Sequence, residues 1–93
     1  MLNYTKEQLD IISGNIEKIS SQAKCILQVL QKHKNEEVKV VLVQSEADAG
    51  KFVVDKCLAV FIACGFVTTR KDGTLRFYKI TEDGKKFLKN WEE

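Results

Sequence analysis

The chain has 93 residues, 44% hydrophobic and 30% charged, which is the composition of one small globular domain. No apolar run approaches the roughly 20 residues of a membrane helix, and the first residues lack the pattern of a signal peptide, so we expect a cytoplasmic, intracellular protein. The net charge is only +2, but residues 70–89 hold seven basic and three acidic side chains, a local charge of +4 that favours a polyanionic partner.

The first predicted element is a helix that begins after Thr5. Thr5 and Gln8 have the spacing of a capping box, in which each side chain bonds the backbone amide of the other residue. Apolar residues then recur at spacings of three and four, the pattern of a helix that packs along its length. They are Leu9, Ile12, Ile16, Ile19, Ala23, Ile26 and Leu30. The stripe predicts helix to about His33, either continuous or broken near Ser20.

The middle of the chain is less clear. Residues 38–43 are rich in β-branched side chains, which favour a strand, but their place between two helical segments favours a helix. Residues 51–64 form the next predicted helix, with Gly50 before it and Gly65 after it. Gly65 predicts the helix end because glycine tolerates the left-handed conformation that stops a helix.

The last third predicts a hairpin followed by a helix. Residues 66–71 and 75–80 are β-prone, and between them Asp72-Gly73 predicts a type I′ turn with positive φ at both residues. Thr81 can cap a final helix that has acidic residues in its first turn and lysines further along. A hairpin with a basic tip, packed between two helices, has the form of a wing.

Four short pieces of this region carry a resemblance to a known family: Gly65-Phe66, Tyr78, Ile80-Thr81 and Asp83-Gly84. Together they resemble the end of the winged helix-turn-helix domain of archaeal DNA-binding regulators, and a weaker likeness extends back to about Ser21. The short chain with three cysteines is also similar to the small winged-helix proteins of archaeal viruses, such as those of the turreted icosahedral kind.

The resemblance implies an α+β fold: a three-helix core, a two-stranded wing, a C-terminal helix and an extended N-terminal helix. In it, residues 39–46 form the second core helix and residues 47–50 the turn. Helix 51–64 points toward the DNA major groove, and the wing, residues 66–80, lies on the backbone or in the minor groove. The implied function is that of a double-stranded DNA-binding protein and transcriptional regulator.

Basic residues in these two elements are the candidate DNA contacts, because lysine and arginine neutralise phosphates. They are Lys51, Lys56, Arg70, Lys71 and Arg76. Helix 51–64 contains no Arg, Asn or Gln, the residues that make bidentate contacts with guanine or adenine. We therefore leave open whether binding is directed by sequence or only weakly specific. The alternative is a winged-helix module that binds another protein and not DNA.

Residues 1–20 are longer than the core of such a domain at residues 21–93 needs. Their apolar stripe predicts either packing on the same chain or, as we favour, contact with a second copy in a homodimer, which suits winged helices because two-fold proteins read two half-sites. The cysteines Cys25, Cys57 and Cys64 are three buried thiols or include a disulfide between subunits, with Cys25 the expected partner.

Chemistry-bearing residues are scarce. The single histidine, His33, cannot complete a zinc site with cysteines that lie outside CxxC spacing. No Ser-His-Asp set and no phosphate-binding loop is visible. We therefore expect no enzyme activity, no metal, no cofactor and no small-molecule ligand.

Overall fold

The computed structural model describes residues 3–93, which contain five helices and a two-stranded antiparallel sheet. In chain order the elements are α1 (Lys6–Ile19), α2 (Ala23–Lys32), α3 (Val40–Ala47), α4 (Lys51–Ala63), β1 (Val67–Asp72), β2 (Leu75–Ile80) and α5 (Glu82–Glu92). This is the predicted α+β winged helix-turn-helix architecture, with α2, α3 and α4 as the three-helix core and the β1–β2 hairpin as the wing. Of the helices in the described part, none combines the length and apolar character that crossing a membrane requires.

The first apolar stripe forms two helices and not one. The capping box starts α1 as predicted: Thr5 Oγ1 accepts from the amide of Gln8 at 3.1 Å, and the Gln8 side chain accepts from the amide of Thr5 at 2.9 Å. Ser20 is extended, with φ −159° and ψ 135°, so α1 ends there and α2 starts at Ala23. The broken alternative is therefore the one that the chain adopts.

Residues 38–47 form both a strand contact and a helix, the two structures that their sequence favours. Val38 forms a β-bridge to Tyr78, with N–H···O distances of 2.9 and 2.8 Å, and thus adds one residue of a third strand to the hairpin. The helix begins two residues later at Val40, and Asp48 ends it in the left-handed conformation with φ 51°. The helical prediction for residues 39–46 is confirmed, shifted by one residue.

The N-terminal helix shares the hydrophobic core of residues 21–93. Ile16 is buried, and Leu9 and Ile12 pack against the core. Polar contacts also fix α1: Trp91 Nε1 donates to Glu17 at 2.7 Å, Asn90 donates to Asp10 at 2.8 Å, and the Tyr4 hydroxyl donates to the Cys64 carbonyl at 3.1 Å. This is the packing on the same chain that the stripe allowed, and it leaves Ile11 and Ile19 exposed. Contact with a second copy stays a prediction.

The base of the wing is closed by a backbone clasp, formed by Gly65, Phe66, Thr81 and Gly84. The Thr81 hydroxyl donates to the Gly65 carbonyl at 2.8 Å and accepts from the Gly84 amide at 2.9 Å, while the Thr81 amide donates to the Phe66 carbonyl at 2.9 Å. Gly65 has a φ of 83°, which favours glycine, and it ends α4 as predicted. The clasp fixes where the hairpin leaves α4 and where α5 begins.

The tip of the hairpin differs from the predicted turn. Asp72 pairs with Leu75 inside the ladder, so the two-residue loop is Gly73-Thr74 and not Asp72-Gly73. Only Gly73 has positive φ, at 63°, and Gly in the first central position is the type II′ pattern. The predicted type I′ turn is therefore wrong. A type I′ turn over these loop residues would force the β-branched Thr74 to positive φ, which is strained.

Gly84 allows α5 to approach the start of β1 closely. A Cβ at this position would overlap the carbonyl oxygen of Phe66 and would lie 2.8 Å from Cγ1 of Ile80. We expect Gly84→Ala to lower the free energy of unfolding by about 2 kcal/mol or more, because the obstacle is backbone. Gly14→Ala is the matched control, since nothing lies within 4 Å of a Cβ in this helical position, and it should stabilise by about 0.5–1 kcal/mol. Urea unfolding measures both, and equal effects would contradict the close approach.

An ionic cluster joins the end of α2 to α3. The His33 ring lies 2.7 Å from Glu36 through Nδ1 and 3.0 Å from Glu46 through Nε2, and the Lys32 ammonium lies 3.0 Å from Glu46. Hydrogen bonds to Glu46 and then to Glu36 raise the pKa of His33 above its usual 6.5. The hydrogen bond from Lys32, followed by that from His33, lowers the pKa of Glu46.

This cluster predicts a pH dependence of stability. A raised pKa in the folded state means that charged His33 contributes its full stabilisation below about pH 6.5. That contribution is lost as the pH rises through the raised folded-state value. The Tm of the wild type should therefore fall between pH 6 and pH 9 more than that of His33→Gln, which stays neutral throughout. Parallel Tm curves for the two proteins, measured by circular dichroism, would show that the charge on His33 contributes nothing to stability.

Candidate nucleic-acid interface

The helix-turn-helix leaves one face of α4 exposed. Its core face consists of buried apolar side chains: Val54, Cys57, Leu58 and Phe61. The opposite face is a stripe of exposed residues at spacings of four, three and four: Phe52, Lys56, Ala59 and Ala63. We call these four residues the outward stripe. The resemblance to winged-helix regulators implies that α4 points toward the major groove, and this stripe is the exposed face of that helix.

A groove of about 500 Å³ runs between α4, the start of α3 and the hairpin. Its cationic lining residues are Lys39, Lys51 and Arg76, and its apolar walls include Val41, Ile62 and Leu75. Basic side chains from three separate elements therefore meet beside the outward stripe. Such a surface suits a ligand that carries several negative charges.

The two predicted contacts on α4 are engaged within the chain. The Lys51 ammonium lies 3.0 Å from Asp55, one turn along the helix, and its side chain is 69% exposed. The Lys56 ammonium lies over the ring of Phe52, 5.4 Å from the centroid. Both side chains are exposed, and solvent screens exposed pairs strongly, so either cation can exchange its partner for a phosphate at little cost.

Lys71 and Arg76 meet at the tip of the wing. They are paired across the two strands, on the hairpin face that also carries Tyr78. Both are exposed, and within residues 3–93 neither forms an ion pair. Like charges directly opposite each other in a ladder repel, so a bound anion between them would relieve the repulsion.

Arg70 lies on the other face of the hairpin. Its guanidinium contacts the Glu37 carboxylate through Nε at 3.0 Å and Nη2 at 3.0 Å, and it stacks on the Phe77 ring, 4.7 Å from the centroid. The hydrogen bond from Arg70 lowers the pKa of Glu37 below its usual value. The predicted cluster of three wing cations is therefore divided, because alternate strand residues point to opposite faces. Arg70 ties the wing to the loop before α3.

Lys39 is a candidate that the sequence analysis missed. It is the N-cap residue of α3, it lines the groove with Arg76, and it forms no ion pair among the described residues. Its ammonium lies 6.0 Å from the centroid of the Phe77 ring. No local signal could identify it, because Lys39 is brought to the wing by the bridge between Val38 and Tyr78, a contact across 40 residues of chain.

The three cysteines are free thiols in the chain. Cys25 is exposed, Cys64 is half-buried and Cys57 is buried, and burial raises the pKa of both Cys57 and Cys64. The disulfide through Cys25 stays a prediction. Within residues 3–93, no three His, Cys, Asp or Glu side chains are grouped so that they could hold a metal ion. That the protein takes no metal, cofactor or ligand also stays a prediction.

No protein-family model and no curated protein sequence matches this chain. Several solved structures do. Sso10a-2, a DNA-binding protein from Sulfolobus solfataricus, is 20% identical with a TM-score of 0.65, over 75% of this chain and 73% of that one. A possible transcriptional regulator for arsenical resistance is 25% identical with a TM-score of 0.61, over 78% and 73%.

A third neighbour matches almost the whole chain. It is the homodimeric winged helix-turn-helix DNA-binding domain of Mb0332 from Mycobacterium bovis, a possible ArsR-family regulator. Its identity is 20% and its TM-score 0.63, over 99% of this chain and 87% of that one. An archaeal or viral source stays a prediction. The agreement in element order, wing and overall shape establishes that this chain has the winged helix-turn-helix fold.

Proposed function

We propose that this protein binds double-stranded DNA as a homodimeric transcriptional regulator of the cytoplasm. In this proposal α4 enters the major groove and the hairpin lies on the backbone or in the minor groove. The observation that carries it is the meeting of Lys39, Lys51 and Arg76 in one groove beside the outward stripe, with Lys71 opposite Arg76. Three structural neighbours that are DNA-binding proteins or possible regulators support it.

Phosphate contacts supply most of the affinity in this mechanism. Among residues 3–93, Lys39, Lys71 and Arg76 have no carboxylate partner to give up, so each can neutralise a phosphate and release its counterions. The N-cap residue of α4 is Gly50, which has no side chain to occupy the amides of the first turn. A phosphate oxygen can accept from those amides, and the positive end of the helix dipole favours it.

The first test is binding of a fluorescent duplex at rising salt concentration. Removal of three phosphate contacts in the Lys39→Ala/Lys71→Ala/Arg76→Ala variant should reduce the slope of log K against log salt by about 3. Affinity at low salt should fall with it. The matched control is Lys18→Ala/Lys86→Ala/Lys89→Ala, which removes the same charge from α1 and α5, outside the groove. Arg70→Ala should weaken binding less than removal of Arg76, because Glu37 already neutralises Arg70.

Equal losses in the two triple variants would mean that only net charge matters and that the groove is no interface. A wild-type protein that stays unbound at low salt would remove the DNA proposal. That result would favour the second candidate function, which is binding of a protein partner. It is favoured by the exposure of Phe52 and Val41, which are 77% and 69% exposed and flank the groove.

The dimer part of the proposal concerns the outer side of α1. Ile11, which lies outside the apolar stripe, is 63% exposed, and Ile19, the last stripe residue of α1, is 38% exposed, although the other stripe residues of α1 pack within the chain. Large apolar side chains on one helix surface favour contact with a second copy. The Mb0332 domain is homodimeric, and its match with this chain covers 99% of the residues, α1 included.

Ile11→Asp/Ile19→Asp should convert a dimer to a monomer, because it introduces like charges at the proposed contact. The helical circular dichroism should stay unchanged, since neither side chain is part of the buried core. Sedimentation in the presence of a reductant measures the mass without any contribution from a Cys25 disulfide. A wild-type monomer would contradict the dimer proposal, and a variant that remains dimeric would place the dimer contact elsewhere.

A further inference from the structure

The outward stripe of α4 is apolar at three of its four positions. Phe52 is 77% exposed, an unusual fraction for a phenylalanine, and Ala59 and Ala63 follow it on the same side of the helix. Phe52 and Ala59 lie about 10 Å apart along the helix axis. The stripe therefore presents methyl and aromatic carbon atoms to any ligand that contacts this face of α4.

Few side chains of α4 could recognise base edges by hydrogen bonds. Helix α4 holds no Arg, Asn or Gln. Its one carboxylate, Asp55, lies outside the outward stripe, in the lining of the groove, where Lys51 contacts it at 3.0 Å. Lys56 lies over the Phe52 ring, where it presents a single ammonium and no bidentate pair.

We propose that the outward stripe recognises the C5-methyl groups of thymine in the major groove, with Phe52 as the main specificity-determining residue. This inference rests on the proposed DNA binding. The thymine methyl is the apolar feature of the major-groove base edges, and Phe and Ala side chains are suited to contact it. A G·C pair presents no methyl group in the major groove, so the same side chains would cover its polar edge atoms without an apolar contact in return.

The charges around the stripe favour a nucleic acid over an apolar protein partner. Lys39 and Arg76 line the adjoining groove, Lys71 lies opposite Arg76 in the hairpin, and none of the three has a carboxylate partner in the described chain. With α4 in a major groove, the phosphates along the edge nearest α3 and the hairpin would meet these cations. Phosphate contacts position the protein, and the apolar stripe then selects A·T pairs.

The test compares an A·T-rich duplex with the same duplex in which every thymine is replaced by uracil. This replacement removes the C5-methyl groups and keeps the hydrogen-bonding pattern of each base pair. Wild-type protein should bind the thymine duplex more tightly, by about fourfold for each methyl group that becomes buried. Phe52→Ala should lose most of this ratio, while Phe52→Leu, which keeps an apolar side chain, should retain part of it.

The outcomes separate this inference from the proposal on which it rests. Binding to neither duplex overturns both, and the stripe then becomes the surface to test for a protein partner. Equal binding to the thymine and uracil duplexes leaves DNA binding intact and overturns methyl recognition. A thymine preference that Phe52→Ala does not change overturns the role of Phe52. A preference that falls in Phe52→Ala and partly returns in Phe52→Leu supports the inference.

Discussion

The clasp at the base of the wing determines how the rest of the structure is arranged. Phe66 begins the hairpin, and its ring stacks on Phe87 with centroids 4.2 Å apart. Its carbonyl oxygen accepts from the Thr81 amide and lies against Gly84. One residue therefore joins the end of α4, the hairpin and the start of α5. Because both ends of the hairpin are fixed at this point, the wing has one direction relative to α4.

The same residues carry the family resemblance, and the clasp gives it a physical meaning. Gly65 is required for positive φ, Thr81 for a hydroxyl that bonds in two directions, and Gly84 for a close approach to backbone. Local requirements of this kind can be read from a sequence, which is why the helix ends, both strands and the cap of α5 were predicted correctly. The helix at residues 39–46 followed from the same resemblance, since propensity alone favoured a strand there.

The features that the sequence could not predict depend on strand register and on contacts between residues that are distant in the chain. The turn was misplaced because Asp72-Gly73 and Gly73-Thr74 are both acceptable loops, and only the pairing of Asp72 with Leu75 chooses between them. Arg70 was grouped with Lys71 and Arg76 by proximity in sequence, but its partner Glu37 lies 33 residues away. Lys39 was overlooked for the same reason. The sequence therefore predicted which helix and hairpin form the candidate site, but the residues that belong to the site could be identified only from the fold.

The composition of α4 limits how the proposed DNA binding could discriminate between sequences. Helix α4 holds no Arg, Asn or Gln to read base edges, so in that proposal the free energy of binding would come chiefly from phosphates. Such binding tolerates many sequences. The exposed carbon of Phe52, Ala59 and Ala63 would add, by the proposed methyl recognition, a bias that depends on the shape and methyl content of the groove. Since dimerisation would double both terms, a weak bias in each protomer would become a usable preference for A·T-rich sites in the pair.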